Sequence, residues 1–374
     1  MADEVEGSAP TGGALSRRGF LGQTARLGLL AAMPAGLSNV RGLGFDQLFG
    51  SGITGTIVLG NYPGWIGKHE IAWFEQAYPG AKVRQAPAQS NSSSGTAGVV
   101  IQNPHEFDLV LTDATAAGQI AAGHLAGPFD HTKVPNLRFI KPQYVKMYPW
   151  GLPTDFGVTG IIYRKDIVKE PIKSLADFWK IAPKYSGRIA LLDWDRQTMG
   201  ITLRYLGYNS NTTDAAQMQK ARDALIQLKK YILAFTPATA TAKNLVGANP
   251  KAVLGISFDF DAGLFQGKEK NLVFVPPKEG MVGYIEGWQA ISTTKHLDEV
   301  YALMNFHARP KATADFLRVS GTAALEPAAS KLLPPAPQAL RLPASAYAST
   351  QFAKFIGAKP LASITQYYEQ VKSA

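Results

Sequence analysis

Apolar and polar positions alternate along most of this chain in short blocks that read as strands and helices in turn. Thr56-Ile57-Val58-Leu59 predicts a first strand, ended by Gly60-Asn61-Tyr62-Pro63-Gly64-Trp65. Ile71, Phe74 and Tyr78 then recur at helical spacing until Pro79-Gly80 stops the run. Lys82-Val83-Arg84 is the next strand. The polar stretch from Gln89 to Thr96, with Ser90 near its start, suits hydroxyl and backbone contacts with a ligand and equally a flexible turn. Phe107 to Leu111 is a buried strand ending at Thr112-Asp113, followed by a helix of small residues through Ala122. Strand and helix alternating in this way predict an α/β fold with a largely parallel sheet. In such sheets ligands sit beyond the carboxyl ends of strands. Tyr62, Trp65 and Asp113 fall at such ends, and so does Asp155, ahead of a strand from Val158 to Tyr163.

Further on, Ser174 stands where an N-cap belongs, its hydroxyl placed to accept from a free amide of the helix that follows. Gly187 to Leu192 is another strand, running into Asp193-Trp194-Asp195-Arg196-Gln197 and a helix to Leu206. Residues 215–231 form an amphipathic helix with Leu225, Leu228 and Ile232 at core spacing. Helices are also predicted over 298–307, 311–319 and 363–372, with a proline- and leucine-rich wrap without regular structure over 332–343. No internal repeat is visible.

The most informative stretch runs from Leu254 to Trp288. Val253, Leu254 and Ile256 read as a buried strand ending in Phe258-Asp259-Phe260-Asp261, and a second apolar segment after Pro276-Pro277 carries Tyr284 and Glu286. On a strand, residues two apart share a face, so Asp259 is expected beside Asp261, and Tyr284 beside Glu286. Carboxylates beside ring faces suit a cationic guest, because the rings attract positive charge and the carboxylates neutralise and orient it. Two solvated turns between ordinary strands are the plainer alternative.

Composition narrows the choice. A chain of 374 residues, 46% hydrophobic and 18% charged, is globular and long enough for two lobes. No apolar run approaches the roughly twenty residues a membrane-spanning helix needs. Cysteine is absent, which excludes disulfides, thiolate metal sites and a lipid-modified cysteine. The net charge of +10 raises nucleic acid as a partner, but the basic residues are scattered, and a solvated basic surface is the better reading. The six histidines are dispersed, and no nucleophile elbow, P-loop, His-Glu-x-x-His or dinucleotide fingerprint occurs. The carboxylate pairs Asp193 with Asp195 and Asp259 with Asp261 leave acid–base catalysis or a hard metal ion conceivable. Near the start, Ser16-Arg17-Arg18-Gly19-Phe20-Leu21, followed by an apolar run from Leu27 to Leu37, matches a twin-arginine export signal.

Taken together in their order, Asn61-Tyr62-Pro63-Gly64-Trp65-Ile66, Phe107-Asp108-Leu109-Val110, Gly157-Val158-Thr159-Gly160-Ile161, the run from Ser186 to Tyr208, Asn211-Thr212-Thr213-Asp214, Pro277-Lys278-Glu279-Gly280 and the closing Tyr367-Tyr368 helix carry a family resemblance. The chain resembles the bacterial spermidine/putrescine-binding proteins, receptors of ABC importers, over roughly residues 55 to 373. The resemblance implies a type II periplasmic-binding-protein fold, two α/β lobes joined by hinge strands that close over a ligand. It implies a signal and linker over 1–45, a first lobe of 54–155 plus 284–318, and a second of 156–283 plus 319–374. Tyr62 and Trp65 match the family's first-loop residues, Phe258 and Tyr284 its ring walls, Glu286 its ammonium-holding acid, and Ser90 its polar loop. Trp194 and Gln197 stand where the family has an acidic pair, flanked by Asp193 and Asp195. The implied protein is a periplasmic monomer that needs no cofactor and catalyses nothing. It would leave by the twin-arginine machinery and hand a polyamine-like cation to its permease. Asp155, Asp259 and Glu286 are the expected charge partners, with Asp113 and Asp193 behind them. Rival expectations are a receptor of the same fold for an opine, an amino-acid derivative, thiamine or a metal complex, a periplasmic enzyme using paired aspartates, and an adaptor tethered to the membrane by an uncleaved N-terminal anchor.

Overall fold

Ile57 and Leu59, two residues apart and fully buried, seat the first strand, β1 (Gly55–Asn61), against its core. The computed structural model describes residues 52–62, 65–90 and 92–374. After β1 come α1 (Glu70–Ala77), β2 (Ala81–Pro87), α2 (Ser93–Gln102), β3 (Leu109–Asp113) and α3 (Ala114–Ala122). β1 lies between β2 and β3, parallel to both, as helical crossovers require. The long strand β4 (Leu152–Arg164) follows, then α4 (Leu175–Ile181), β5 (Ile189–Leu192), α5 (Asp195–Tyr205), α6 (Ala215–Lys229), β6 (Ala234–Thr236), α7 (Ala238–Lys243), β7 (Leu254–Phe258) and α8 (Asp259–Gln266). Here β5 lies between β6 and β7, again parallel to both. β8 (Leu272–Val275), β9 (Val282–Ala290), α9 (Leu297–His307), α10 (Pro310–Ser320), β10 (Ala323–Ala324), β11 (Gln351–Phe352) and α11 (Ala358–Ser373) complete the labelled elements.

The described strands form one sheet in the order β2-β1-β3-β9-β4-β7-β5-β6, with β10 and β8 on β4 and β11 on β9. The sheet is therefore mixed, not largely parallel as the sequence suggested. Its middle is antiparallel because β4 and β9 are not part of any strand–helix–strand repeat. β9 pairs with β3 at one end, and β4 spans both sets, meeting β9 along Leu152–Thr159 and β7 along Thr159–Tyr163. These two strands join two cores. One draws on residues between Ile53 and Phe156 and between Ile285 and Leu325, around Phe74, Tyr148 and Trp288. The other draws on residues between Ile161 and Val282 and between Ala353 and Val371, around Phe178 and Tyr368. Each large side chain buried in this way contributes roughly 1.5–3 kcal/mol.

Several local readings hold and several need correction. Ser174 does cap α4, accepting from the Asp177 amide at 2.9 Å. The stretch read as a polar loop after Gln89 is instead the start of α2, with Ser92 as its cap accepting from Gly95. Asp155 lies inside β4 rather than beyond a strand end. The strand expected through Phe258-Asp259-Phe260-Asp261 stops at Phe258, and Asp259 begins α8. No helix among the described residues is long and apolar enough to cross a membrane. The motif residues Ser16, Arg17, Arg18, Phe20 and Leu21 lie outside the described residues.

Candidate ligand-binding site

The site is built on strand register. Asp113 ends β3 opposite Glu286 of β9, and Glu286 stands opposite Asp155 of β4. Opposed residues on antiparallel strands project from the same face with Cα atoms about 4.5–5.5 Å apart. A register shift between Pro153 and Asp155 places Asp155, not Thr154, in that row. Three carboxylates thus face one way across neighbouring strands, an arrangement that like-charge repulsion opposes.

Their protonation reflects it. Burial, then the charges of Asp155 and Asp113, push the Glu286 carboxyl well above its usual range. Burial raises Asp155 to about 6, against the Thr154 hydroxyl that donates to it at 2.7 Å. Burial also raises Asp113, opposed by the Ser93 hydroxyl (2.7 Å) and the Thr115 and Ala116 amides at the start of α3.

Above this row lies a cavity of about 270 Å³. Its rings come from Tyr62, Trp65, Trp194, Phe258, Phe260 and Tyr284, with Asp113, Glu286, Gln197 and the segment Pro237 to Ala240 completing the lining. The rings pack mainly edge to face. Tyr284 meets Phe258 at 5.1 Å and 74°, and Trp65 meets Phe260 at 5.7 Å and 69°. Such walls offer flat apolar faces to a hydrocarbon chain. Among the described residues, no lysine or arginine lines the cavity. The buried guanidinium of Arg196 is turned to Ser210, Asn211 and Lys354 instead.

Tyr62, Trp65, Asp113, Trp194, Gln197, Phe258, Tyr284 and Glu286 all stand in the lining. Gln197 accepts from the Thr159 hydroxyl at 3.0 Å, which leaves its amide N–H groups for a guest. Trp194 bridges the two sides of the cavity, its indole N–H 3.4 Å from the Ser93 hydroxyl that serves Asp113. Asp155 lies beyond the lining, in the carboxylate row.

Asp259, Asp193 and Ser90 are placed differently from expectation. Asp259 does not share a strand face with Asp261. At the start of α8 it accepts from the Val158 and Phe260 amides at 3.1 and 2.9 Å, and burial raises it to about 7. Asp193 is not in the lining, because Tyr368 donates to it at 3.0 Å and Lys372 stands 3.6 Å away. Ser90 braces the entry to α2, donating to the Ser92 carbonyl at 3.2 Å. Phe260, Thr239 and Ser93 were not singled out in the sequence. A helical reading from Asp259 would have revealed Phe260, whereas nothing local marks Thr239.

The arrangement leaves carboxyl oxygens unpartnered beside the Trp65 indole N–H, which is likewise buried without a hydrogen-bond partner among the described residues. Glu286 Oε2, Asp259 Oδ2, Asp261 Oδ2 and the Tyr284 hydroxyl are buried without a hydrogen-bond partner among the described residues. Leaving such groups unpaired is costly, and a guest bearing N–H groups would relieve that cost. No cluster of three or more potential metal ligands occurs among the described residues.

This is the type II periplasmic-binding-protein fold, and the chain belongs to the bacterial extracellular solute-binding protein family, whose model matches residues 71–340. Among curated relatives, spermidine/putrescine-binding periplasmic protein 1 of Haemophilus influenzae is 25% identical over 234 residues, covering 61% of this chain and 64% of the relative. The match therefore spans less than two thirds of that relative's length. The substrate-binding protein PotD of a spermidine/putrescine ABC transporter from Streptococcus pneumoniae superposes with a TM-score of 0.69 at 21% identity, over 86% of this chain and 99% of that one. The Atu4243–GABA receptor superposes with a TM-score of 0.68 at 17% identity, over 85% and 98%.

Proposed function

We propose that this protein is the extracytoplasmic receptor of an ABC importer and binds a small polyamine, putrescine- or spermidine-like, in the ring-lined cavity. The observation that carries this reading is the in-register row Asp113–Glu286–Asp155 beneath a lining that, among the described residues, has no lysine or arginine. An ammonium group seated at Glu286 and Asp113 would replace carboxylate repulsion with charge-assisted hydrogen bonds, while Tyr62, Trp65, Phe258 and Tyr284 flank the methylene chain. The likeness to spermidine/putrescine-binding relatives supports the same assignment.

In this reading, lobes of 54–155 plus 284–318 and 156–283 plus 319–374 clamp the guest as a monomer, with β4 and β9 as hinge strands. The closed form docks on the permease, and no bond is made or broken. Export follows the twin-arginine route through Ser16-Arg17-Arg18 and Phe20-Leu21, to the periplasm. A carboxylate-bearing guest such as GABA would need a cation in the lining, and Arg196 faces elsewhere.

Thermal shift against putrescine, spermidine, GABA, glutamate and thiamine tests the assignment. A polyamine at a hundredfold excess over its Kd should stabilise the protein by about 2.7 kcal/mol. Stabilisation by glutamate alone would refute the polyamine reading.

A further inference from the structure

The carboxylate row is short of positive charge. Glu286 has Asp113 in register on one side and Asp155 on the other. It is buried, and its Oε2 has no hydrogen-bond partner among the described residues. The neighbouring charges that weigh on it are those two acids, and both oppose its ionisation. The phenols nearby add no charge of their own. Burial first, and then the acids of the row, push Tyr62, Tyr148 and Tyr284 upward, so all three stay protonated.

The basic groups act at the two ends of the row and have acids of their own. Arg196 of α5 offsets part of the rise in Asp113, but Asp195 stands beside it and its guanidinium donates to Ser210, Asn211 and Lys354. His307 of α9 acts on Asp155, yet its Nδ1 lies 2.7 Å from the buried Glu70 of α1, and Glu326 draws on the same ring. Asp259 of α8 is one more acid within reach of Asp155. Buried carboxylates held in register on adjacent strands cannot all ionise without a counter-ion, and such a group titrates as a unit that keeps a proton.

Resting on the amine reading above, we propose that ligand and proton exchange at this row: the empty receptor keeps a proton on Glu286 and its two neighbours, and a bound ammonium takes that proton's place. On binding, the carboxyl O–H bond breaks, its electron pair stays on the carboxylate, and the proton leaves to water or buffer. The ammonium N–H groups then donate to the freed oxygens, and the total charge of the row with its guest is unchanged. Release runs the other way and takes a proton up. The receptor therefore loads better in a neutral medium than in an acid one, and acidification unloads it.

Calorimetry with putrescine at pH 7 in phosphate and in Tris, buffers whose own ionisation enthalpies differ widely, counts the protons. The exchange predicts enthalpies that differ between the buffers by the ionisation of about one proton, and an affinity that rises about tenfold per pH unit between pH 6 and 7.5. In Asp155→Asn the row loses one charge, Glu286 ionises more readily in the empty protein, and the proton count should fall to about half or less. Saturable binding with the same enthalpy in both buffers overturns the exchange and leaves the amine receptor standing. A proton count that Asp155→Asn leaves unchanged places the proton on another acid and overturns the row as its source. No putrescine binding at all removes the amine reading, and the exchange with it. The wild-type buffer comparison still tests the exchange should Asp155→Asn fold poorly.

Discussion

Among single residues, Glu286 carries the most weight, because it has a carboxylate in register on either side. Glu286→Gln keeps the shape and removes the charge. It should weaken polyamine binding by roughly tenfold to a hundredfold in a calorimetric titration, the range for losing a hydrogen bond to a charged group. The raised carboxyls also set a pH dependence. Burial lifts Asp259 to about 7, Asp261 to about 8 and Glu326 to about 7, all above the values of an unfolded chain near 4. The folded state therefore holds these protons more tightly than the unfolded state does. Their contribution to stability is full below pH 4 and is lost as pH rises through about 7 and 8. Thermal unfolding of the ligand-free protein should accordingly show Tm falling between pH 5 and pH 9, with a shallower fall in Asp261→Asn. A Tm that rose steadily with pH over this range would contradict the burial of these groups.

At the level of elements, the long strand β4 bears directly on the ring wall. A Cβ added at Gly157 would collide with the Tyr284 hydroxyl and come within 2.6 Å of its ring, so Gly157→Ala must displace Tyr284. Overpacking of this kind costs about 1–3 kcal/mol, readable in urea unfolding, and polyamine affinity should fall with it. Unaltered stability and affinity would show that the ring is free to move.

Much of this level was legible in the chain. Apolar alternation located β1, β3 and β5, the caps and breakers located α1 and α4, and period two put Tyr284 and Glu286 on one face of β9. The Asp259 to Asp261 segment misled because an apolar run into Phe-Asp-Phe-Asp alternates like a strand, while the physical event is a helix start whose first turn buries both acids. Thr239 was invisible for another reason. Its partner Asp261 lies on the next helix but one strand away in sequence, and only tertiary packing brings them together. The carboxylate row was half legible: the acids were identified, but pairing across β3, β9 and β4 is a property of register, which no local pattern encodes.

For the whole molecule, the contrast is between a formal charge of +10 over the full chain and a cavity lined by acids and rings. That positive total would slow the approach of a polycation, so affinity has to come from the interior and not from long-range steering. The two cores meet across β4 and β9, and Trp194 reaches Ser93 at 3.4 Å from the opposite side of the cavity. The central claim is that this interior selects an amine at both ends of a short chain. Calorimetric titration of the wild-type protein with putrescine and, in parallel, with GABA tests it most directly, since the two molecules share a four-carbon chain and differ in carrying a second ammonium or a carboxylate. Saturable putrescine binding with GABA at least roughly a hundredfold weaker is the predicted result. GABA bound as tightly as putrescine, or more tightly, would contradict it.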